Sequence, residues 1–253
     1  MQLDLHYTDE LLVSLYDIEN SGRQDVDFYL ALTAELGARS VIDLGCGTGV
    51  LACDLAAAGA MTTGVDPARA MLEYARTRPG GERVDWVCGD ASALAPESAD
   101  LVVMTGHVAQ VFLDDDDWDA ALRNCLRALR PGGHLAFETR NPESAGWNRW
   151  NRDSTLGEYP LPDGGSFQSW VEVTGVRPGL VDFEGHNIIS GPGDLSDLPR
   201  ELTATSTLRF RTRSEVQESL SRAGFEVGAL YGDWSRGPVH PASPELIFVA
   251  GRP

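Results

Sequence analysis

Val41-Ile42-Asp43-Leu44-Gly45-Cys46-Gly47-Thr48-Gly49 decides how this 253-residue chain is read. An apolar strand runs into a glycine loop, and the loop opens a helix predicted over residues 50–58. Glycines let the backbone approach a ligand closely, and the helix N-terminus offers unpaired N–H groups. About twenty residues on, the next strand ends in Val65-Asp66-Pro67, where a carboxylate can accept both hydroxyls of a ribose. Loop and acid together read as a nucleoside site. The dinucleotide fingerprint Gly-x-Gly-x-x-Gly is not met, because Val50 stands at its third glycine and Gly49 comes one residue early. Asp43 would sit badly beside a pyrophosphate, whereas it can help to hold an ammonium. The loop suits a cationic amino-acid nucleoside better than a dinucleotide.

Outward from the loop, short apolar runs at 41–44, 62–65, 84–87, 101–104 and 135–138 alternate with helical stretches at 50–58, 68–76 and 118–129. That alternation predicts a parallel sheet wound on both faces. Before it, Leu11, Leu12, Leu15 and Tyr16, and then Val26, Tyr29, Leu30, Leu32 and Leu36, recur at helical spacing and predict two helices. After Asn141-Pro142 the rhythm breaks into a long polar connection over 142–165. Strands expected at 167–173, 180–189 and 203–211, with turns at Pro178-Gly179 and Gly191-Pro192-Gly193, form an antiparallel meander. A helix at 214–223 and strands at 225–231 and 246–250 complete a seven-stranded core. The expected units are an N-terminal helical cover (1–39), a core (40–141 and 213–253), and an antiparallel insert (142–212) folding over the acceptor site as a lid.

Composition narrows the function. The chain is 42% hydrophobic and 23% charged, which excludes a disordered or fibrous protein. Twenty basic residues against 38 acidic give a net charge of −18, which repels nucleic acid and anionic lipid. Every basic residue is Arg, so neither Schiff-base chemistry nor a P-loop lysine is available. Cys46, Cys53, Cys88 and Cys125 are scattered, with neither metal-site nor disulfide spacing, and read as reduced thiols in a cytoplasm. No apolar window approaches the ~18 residues of a membrane span, and residues 1–10 lack the pattern of a signal peptide. Asp114 to Asp117 precede a helix and read as charges at its N-terminus, with no metal implied. A monomer or a homodimer fits this chain.

Four motifs in order carry a resemblance. Asp43-Leu44-Gly45-Cys46-Gly47-Thr48-Gly49, Gly64-Val65-Asp66, Gly89-Asp90-Ala91 and Leu129-Arg130-Pro131-Gly132-Gly133 resemble the class I S-adenosylmethionine-dependent methyltransferases over residues ~40–140. The resemblance implies an α/β fold with a seven-stranded Rossmann-like core, mostly parallel with the last strand antiparallel. It further implies S-adenosyl-L-methionine as cofactor. Gly45, Cys46 and Gly47 would pass beneath its methionyl part, and Asp66 would take the ribose hydroxyls. Pro67 and Met71 would touch the adenine, Asp90 would accept from its amino group, and the Ala91 N–H would donate to a ring nitrogen. Thr105 and Tyr16 join this set as neighbours of the cofactor. The insert is similar to the antiparallel cap of small-molecule N-methyltransferases of the class.

The acceptor is expected outside the carboxyl ends of the parallel strands. Those ends carry Thr105-Gly106-His107, Glu138-Thr139-Arg140-Asn141 and Tyr231-Gly232-Asp233-Trp234. His107 is the candidate base or positioning residue. Glu138 and Asp233 are candidates for an acceptor ammonium, Arg140 for a carboxylate, and Trp234 for a pocket wall. Methyl transfer to nitrogen or oxygen of a small molecule is the function expected. A nucleotide-dependent oxidoreductase and a cofactor-binding pseudo-enzyme remain the rivals. With no basic patch to release counterions, the protein is expected not to retain tRNA or DNA at physiological salt. Micromolar binding with a steep salt slope in a filter assay would overturn the small-molecule reading.

Overall fold

Strand β1 (Ser40–Leu44) is buried at every residue, as a strand with neighbours on both sides and helices on both faces must be. It pairs in parallel with β2 (Met61–Asp66) and with β4 (Ala99–Met104). The computed structural model describes residues 3–162, 164–191 and 200–253. Strands β3 (Val84–Cys88), β5 (Leu129–Arg140), β10 (Glu226–Tyr231) and β11 (Glu245–Gly251) complete a seven-stranded sheet in the order β10-β11-β5-β4-β1-β2-β3. Strand β11 runs antiparallel to both β5 and β10, and the remaining pairs are parallel.

Helices cover both faces. On one side α3 (Gln24–Glu35) and α4 (Val50–Ala57) set Val26, Phe28, Tyr29, Leu51 and Leu55 against Val41, Leu101, Val103 and Ile247 of the sheet. On the other, α6 (Asp115–Ala128) and α8 (Arg213–Ala223) bury Trp118, Leu122, Val216 and Leu220 with Val102, Phe137 and Phe248. Helix α5 (Arg69–Thr77) follows β2. It packs Met71 and Ala68 beneath the N-terminal helices α1 (Leu5–Thr8) and α2 (Glu10–Glu19). The acidic run behaves as its position dictates, with Asp115, Asp116 and Asp117 in the first turn of α6.

Between β5 and α8 the chain forms a one-turn helix, α7 (Arg152–Thr155), and a second, antiparallel sheet. This sheet runs in the order β6 (Gly157–Pro160), β7 (Ser166–Arg177), β8 (Leu180–Ser190) and β9 (Arg200–Arg209). Three details differ from the sequence reading. Helix α1 and strand β6 fall in stretches read as structureless, since four residues are too few to show a period. Strand β5 is longer than expected, because the Arg130-Pro131-Gly132-Gly133 turn is accommodated as a register shift opposite Ala99–Leu101. The expected Gly191-Pro192-Gly193 turn lies in part outside the described residues.

The tryptophans of the connection pack within the insert, and Trp150 reaches the core through Arg140. Trp147 meets Phe210 edge-on at 4.7 Å, and Trp150 meets Phe183 at 5.2 Å. The Arg140 guanidinium lies over the Trp150 ring at 5.2 Å. The N-terminal helices complete the joint. Glu19 accepts from the Ser169 hydroxyl at 2.9 Å, and Asp4 bonds Ser206.

Within the core, Trp118 is 1% exposed, contacts Phe137 edge-on at 5.5 Å and donates from its indole to Ser219 at 2.8 Å. Trp118→Ala leaves a cavity where α6 meets α8 and removes the donor to Ser219, whose hydroxyl still donates to the Val216 carbonyl. A loss of roughly 3–5 kcal/mol is expected in urea unfolding.

Candidate cofactor and acceptor site

The loop from β1 to α4 turns through left-handed backbone at Gly45 (φ 77°), Gly47 (φ 52°) and Gly49 (φ 79°). A Cβ at Gly45 would come within 2.4 Å of Val108 Cγ2, so only glycine lets β1 end this close to the segment after β4. A Cβ at Gly47 would meet nothing within 4 Å. The loop backbone there borders open space, as a cradle for a ligand must. Cys46 is buried, and burial holds its thiol protonated, so it offers no nucleophile.

Asp66 at the end of β2 is buried. It accepts from the Gly47 N–H at 2.9 Å and from the Ala68 N–H at 2.8 Å. Burial raises its pKa and these two bonds oppose the rise. Asp66 therefore fixes the loop, and each oxygen keeps a second lone pair for a donor from outside. Pro67 is half-buried beside it, and Met71 is buried against Val13, Tyr7 and Tyr16. Asp90 is exposed after β3 and accepts from the Ser92 N–H at 2.8 Å, which lowers its pKa, while Ala91 is buried.

Asp43 stands apart. It is 1% exposed, and neither of its carboxylate oxygens has a hydrogen-bond partner among the described residues. Burial, with Asp66 and Glu138 nearby, pushes its pKa up to about 7. An orphaned carboxylate beneath a glycine cradle, with two more acids near it, calls for a cation. The ammonium of S-adenosylmethionine fits that demand, and the residues present fit the group.

Helix α2 is tied over the loop. The Thr48 hydroxyl donates to Asp17 at 2.6 Å, Arg78 donates to the Thr48 carbonyl at 2.8 Å, and Arg78 pairs with Asp17. Burial lifts the Tyr7 pKa to about 12 and raises that of Tyr16 as well. Asp66 at the end of β2 raises both further, and Arg140 at the end of β5 lowers both. The two tyrosines thus lie within reach of both strand ends.

At the rim, Thr105 is half-buried, and Gly106 and His107 are left-handed (φ 69° and 63°). The His107 N–H donates to Glu138 at 2.6 Å, and its Nε2 lies 3.0 and 3.1 Å from the two Glu245 oxygens. Arg140 donates to Gln110 at 2.8 Å. Burial lowers the Arg140 pKa, and Glu245 and Glu138 oppose that. His107, Arg140 and Glu245 are thus brought together.

Two expectations are corrected. Glu138 is 0% exposed, and its oxygens are taken by the Tyr29 hydroxyl at 2.5 Å and the His107 N–H. It braces the rim from within and is not placed to grip an acceptor. Asp233 caps its own turn, accepting from the Ser235 and Gly237 N–H groups at 2.8 and 2.9 Å. Trp234 packs edge-on against Phe28 at 5.6 Å and Tyr29 at 6.1 Å, so it sits on α3. Sequence reasoning missed Tyr7, Arg78, Gln110 and Glu245, none of which stands in a motif. A cavity of about 340 Å³ between the β7–β8 turn, Trp147 and the start of α8 contains none of the expected site residues.

Residues 41–133 match the family described as methyltransferase domain. Over 96% of this chain and 97% of the relative, it is 28% identical to the cypemycin N-terminal methyltransferase of a Streptomyces species. It is 35% identical over 120 residues to a ubiquinone biosynthesis O-methyltransferase of Idiomarina loihiensis, where the match spans about half of each chain, 46% and 48%. The CcbJ methyltransferase of Streptomyces caelestis superposes with a TM-score of 0.75 at 23% identity, covering 98% of both chains.

The raised pKa of Asp43 gives a signed expectation. An unfolded aspartate titrates near 3.9, so the native state binds the extra proton and stability falls as pH rises from about 4 through about 7. Asp43→Asn is therefore expected to melt above the wild type at pH 8 without cofactor, the gap closing towards pH 5. A bound cation favours the ionised form, so S-adenosylhomocysteine should bind the wild type more weakly as pH falls below 7, with proton release. Calorimetry in buffers of different ionisation enthalpy measures both. Equal melting temperatures and pH-independent binding would remove Asp43 from the site.

Proposed function

This chain belongs, by its core, to the class I S-adenosylmethionine-dependent methyltransferases, and from that premise we propose that it methylates an amine of a small molecule. The observation that carries the reading is the charge at the rim. Glu245 borders the rim beside Arg140 and His107, and the buried carboxyls of Asp43, Asp66 and Glu138 lie beneath it. That excess of acid favours a cationic cofactor and a cationic acceptor, and disfavours a phosphate or a carboxylate. The full-length similarity to an N-terminal methyltransferase supports nitrogen over oxygen.

When bound, the cofactor supplies a methyl group on a sulfonium. The chain's own residues do the rest. Gly45, Cys46 and Gly47 would run beneath the methionyl part, Asp43 would face its ammonium, and Asp66 would accept from the ribose. Pro67 and Met71 would flank the adenine, while Asp90 and the Ala91 N–H would meet its edge. Tyr16, with Tyr7 beside it, excludes water, and Thr105 borders the same space. His107 stands at the acceptor side with Arg140. In-line displacement needs alignment above all, and a fixed loop and a fixed rim provide it. The insert over residues 142–212 serves as the lid that selects the acceptor, held to the N-terminal cover and the core by Ser169–Glu19 and Trp150–Arg140. Four free cysteines suit a reducing cytoplasm, where the protein works as a monomer or homodimer.

Transfer of labelled methyl to a short peptide with a free N-terminus and to an aminodeoxy sugar, each compared with its N-acetylated form, tests the proposal. Label is expected on a free amine and not on its acetylated form. Methylation of a catechol hydroxyl with both amines inert would overturn it in favour of oxygen. In the same protein Asp66→Ala is expected to weaken S-adenosylhomocysteine binding by roughly ten- to a hundredfold, from charge-assisted bonds of about 1.5–3 kcal/mol.

A further inference from the structure

His107 is held at three points, and only one of its ring nitrogens is left over. Its backbone is left-handed at φ 63°, a conformation unfavourable for a non-glycine residue. The fully buried Glu138 carboxylate, accepting the His107 N–H at 2.6 Å, holds it there. The backbone so fixed aims the ring at β11, where Nε2 lies 3.0 and 3.1 Å from the two oxygens of Glu245. Glu245 has little freedom of its own. It is the first residue of β11, its side chain is 12% exposed, and sheet register sets it opposite Arg140 of β5. Nδ1, by contrast, makes no hydrogen bond with any described residue, and it is not among the buried polar atoms lacking a partner.

A carboxylate can only accept, so the nitrogen facing it must carry the hydrogen. We propose that Glu245 is a positioning residue that fixes the neutral His107 ring with its proton on Nε2, leaving the Nδ1 lone pair to deprotonate the acceptor. This rests on the amine reading above and deepens it, since an acceptor arriving as an ammonium has no lone pair to attack with. The balance is simple. Nδ1 takes one N–H proton from the ammonium, giving a neutral amine and an imidazolium whose Nε2–H remains bonded to the Glu245 carboxylate. The amine lone pair then forms the N–C bond to the methyl carbon as the C–S bond breaks, its electron pair staying on sulfur. The proton on His107 passes to solvent as the site opens. The charged and titratable groups around the imidazole are Glu245 from β11, Glu138 and Arg140 from β5, and Tyr29 from α3 through Glu138. Among the described residues, Glu245 is the one hydrogen-bonded to the ring.

A merely structural pair, pinning the β4 loop to β11, would have the same distances, so the test must read the ring itself. Two-bond proton–nitrogen correlation NMR on the full-length protein resolves the tautomer of each imidazole, with His107→Asn assigning the signal. The wild type at pH 8.5 is expected to show His107 protonated at Nε2 and bare at Nδ1. Glu245→Gln, whose amide oxygen still accepts from Nε2–H, should keep that pattern, and Glu245→Ala should give a mixture of tautomers. A wild-type ring protonated at Nδ1, or a pattern indifferent to Glu245→Ala, overturns the proposal without touching the amine reading.

Turnover supplies the second arm, with whichever of the peptide and amino-sugar probes is methylated. Glu245→Gln, which keeps the tautomer, is expected to retain most of the activity, and Glu245→Ala to lower kcat about tenfold or more while S-adenosylhomocysteine affinity stays unchanged. In a His107→Asn background Glu245→Ala should cost nothing further, because Glu245 acts only through the ring. Additive losses in the double variant would make Glu245 an independent contact and sink the idea. If neither amine is methylated by the wild type, the amine reading fails on its own account, while the NMR result still decides the tautomer.

Discussion

Strand β1 has no freedom in how it ends. Its residues are buried on both faces, and it must pass from the sheet into α4 within a loop from Gly45 to Gly49, with Val108 pressed against its first turn. Left-handed backbone at Gly45 and Gly47 makes the turn, and the Asp66 carboxylate, reaching across from β2, holds the Gly47 N–H inside it. The same turn strands Asp43. A carboxylate one residue from the end of a fully buried strand cannot reach water, and the loop above it gives it no donor. The fold therefore carries at its centre a buried carboxyl whose pKa is pushed up to about 7, and a bound cation favours its ionised form. Stability is given up at the place where affinity is needed.

The clasp over the loop follows from the same geometry. Thr48 is buried in the loop, its hydroxyl bonded to Asp17 of α2 and its carbonyl to Arg78 after α5. With Tyr7 and Tyr16 spanning from Asp66 to Arg140, the N-terminal helices become part of the site wall. They also hold the insert, through Glu19 to Ser169 and Asp4 to Ser206. The segment from α1 to α2 thus bonds both the glycine loop and the insert.

The core was legible in the sequence because it is periodic and punctuated. Alternating apolar runs and helices place the strands, and Gly45, Gly47, Asp66 and Asp90 fall at strand ends where short-range motifs can be seen. What the sequence concealed depends on distant pairing. Glu138 reads as a rim acid, but Tyr29, from helix α3 packed on one face of the sheet, donates to it, and this bond and the one from the His107 N–H hold it inside the protein. Asp233 reads as a pocket acid and is spent on its own turn, a choice set by the backbone N–H groups of Ser235 and Gly237. Tryptophans in a polar connection indicate packing without naming partners, and the partners prove to be Phe183, Phe210 and Arg140. Residues that act through one bond to a motif leave a local trace; residues that act across the sheet leave none.

Glu245 is the sharpest case, 138 positions from His107 in sequence. It reaches the rim because β11 alone runs against its neighbours. Parallel strands deliver their carboxyl ends to the ligand side of an open sheet. A parallel β11 would bring Gly251 there and bury Glu245 at the far edge. Reversal brings the strand's first residue to the rim instead, beside the residue at the end of β5, in the register Glu245 to Arg140. Two strand termini of opposite charge thus lie side by side, Arg140 bonded to Gln110 and the Glu245 carboxylate turned to the imidazole of the β4 loop. The reversed strand is a feature of topology, yet its consequence is chemical: it supplies an acid at the one edge of the sheet where parallel strands can offer only their last residues.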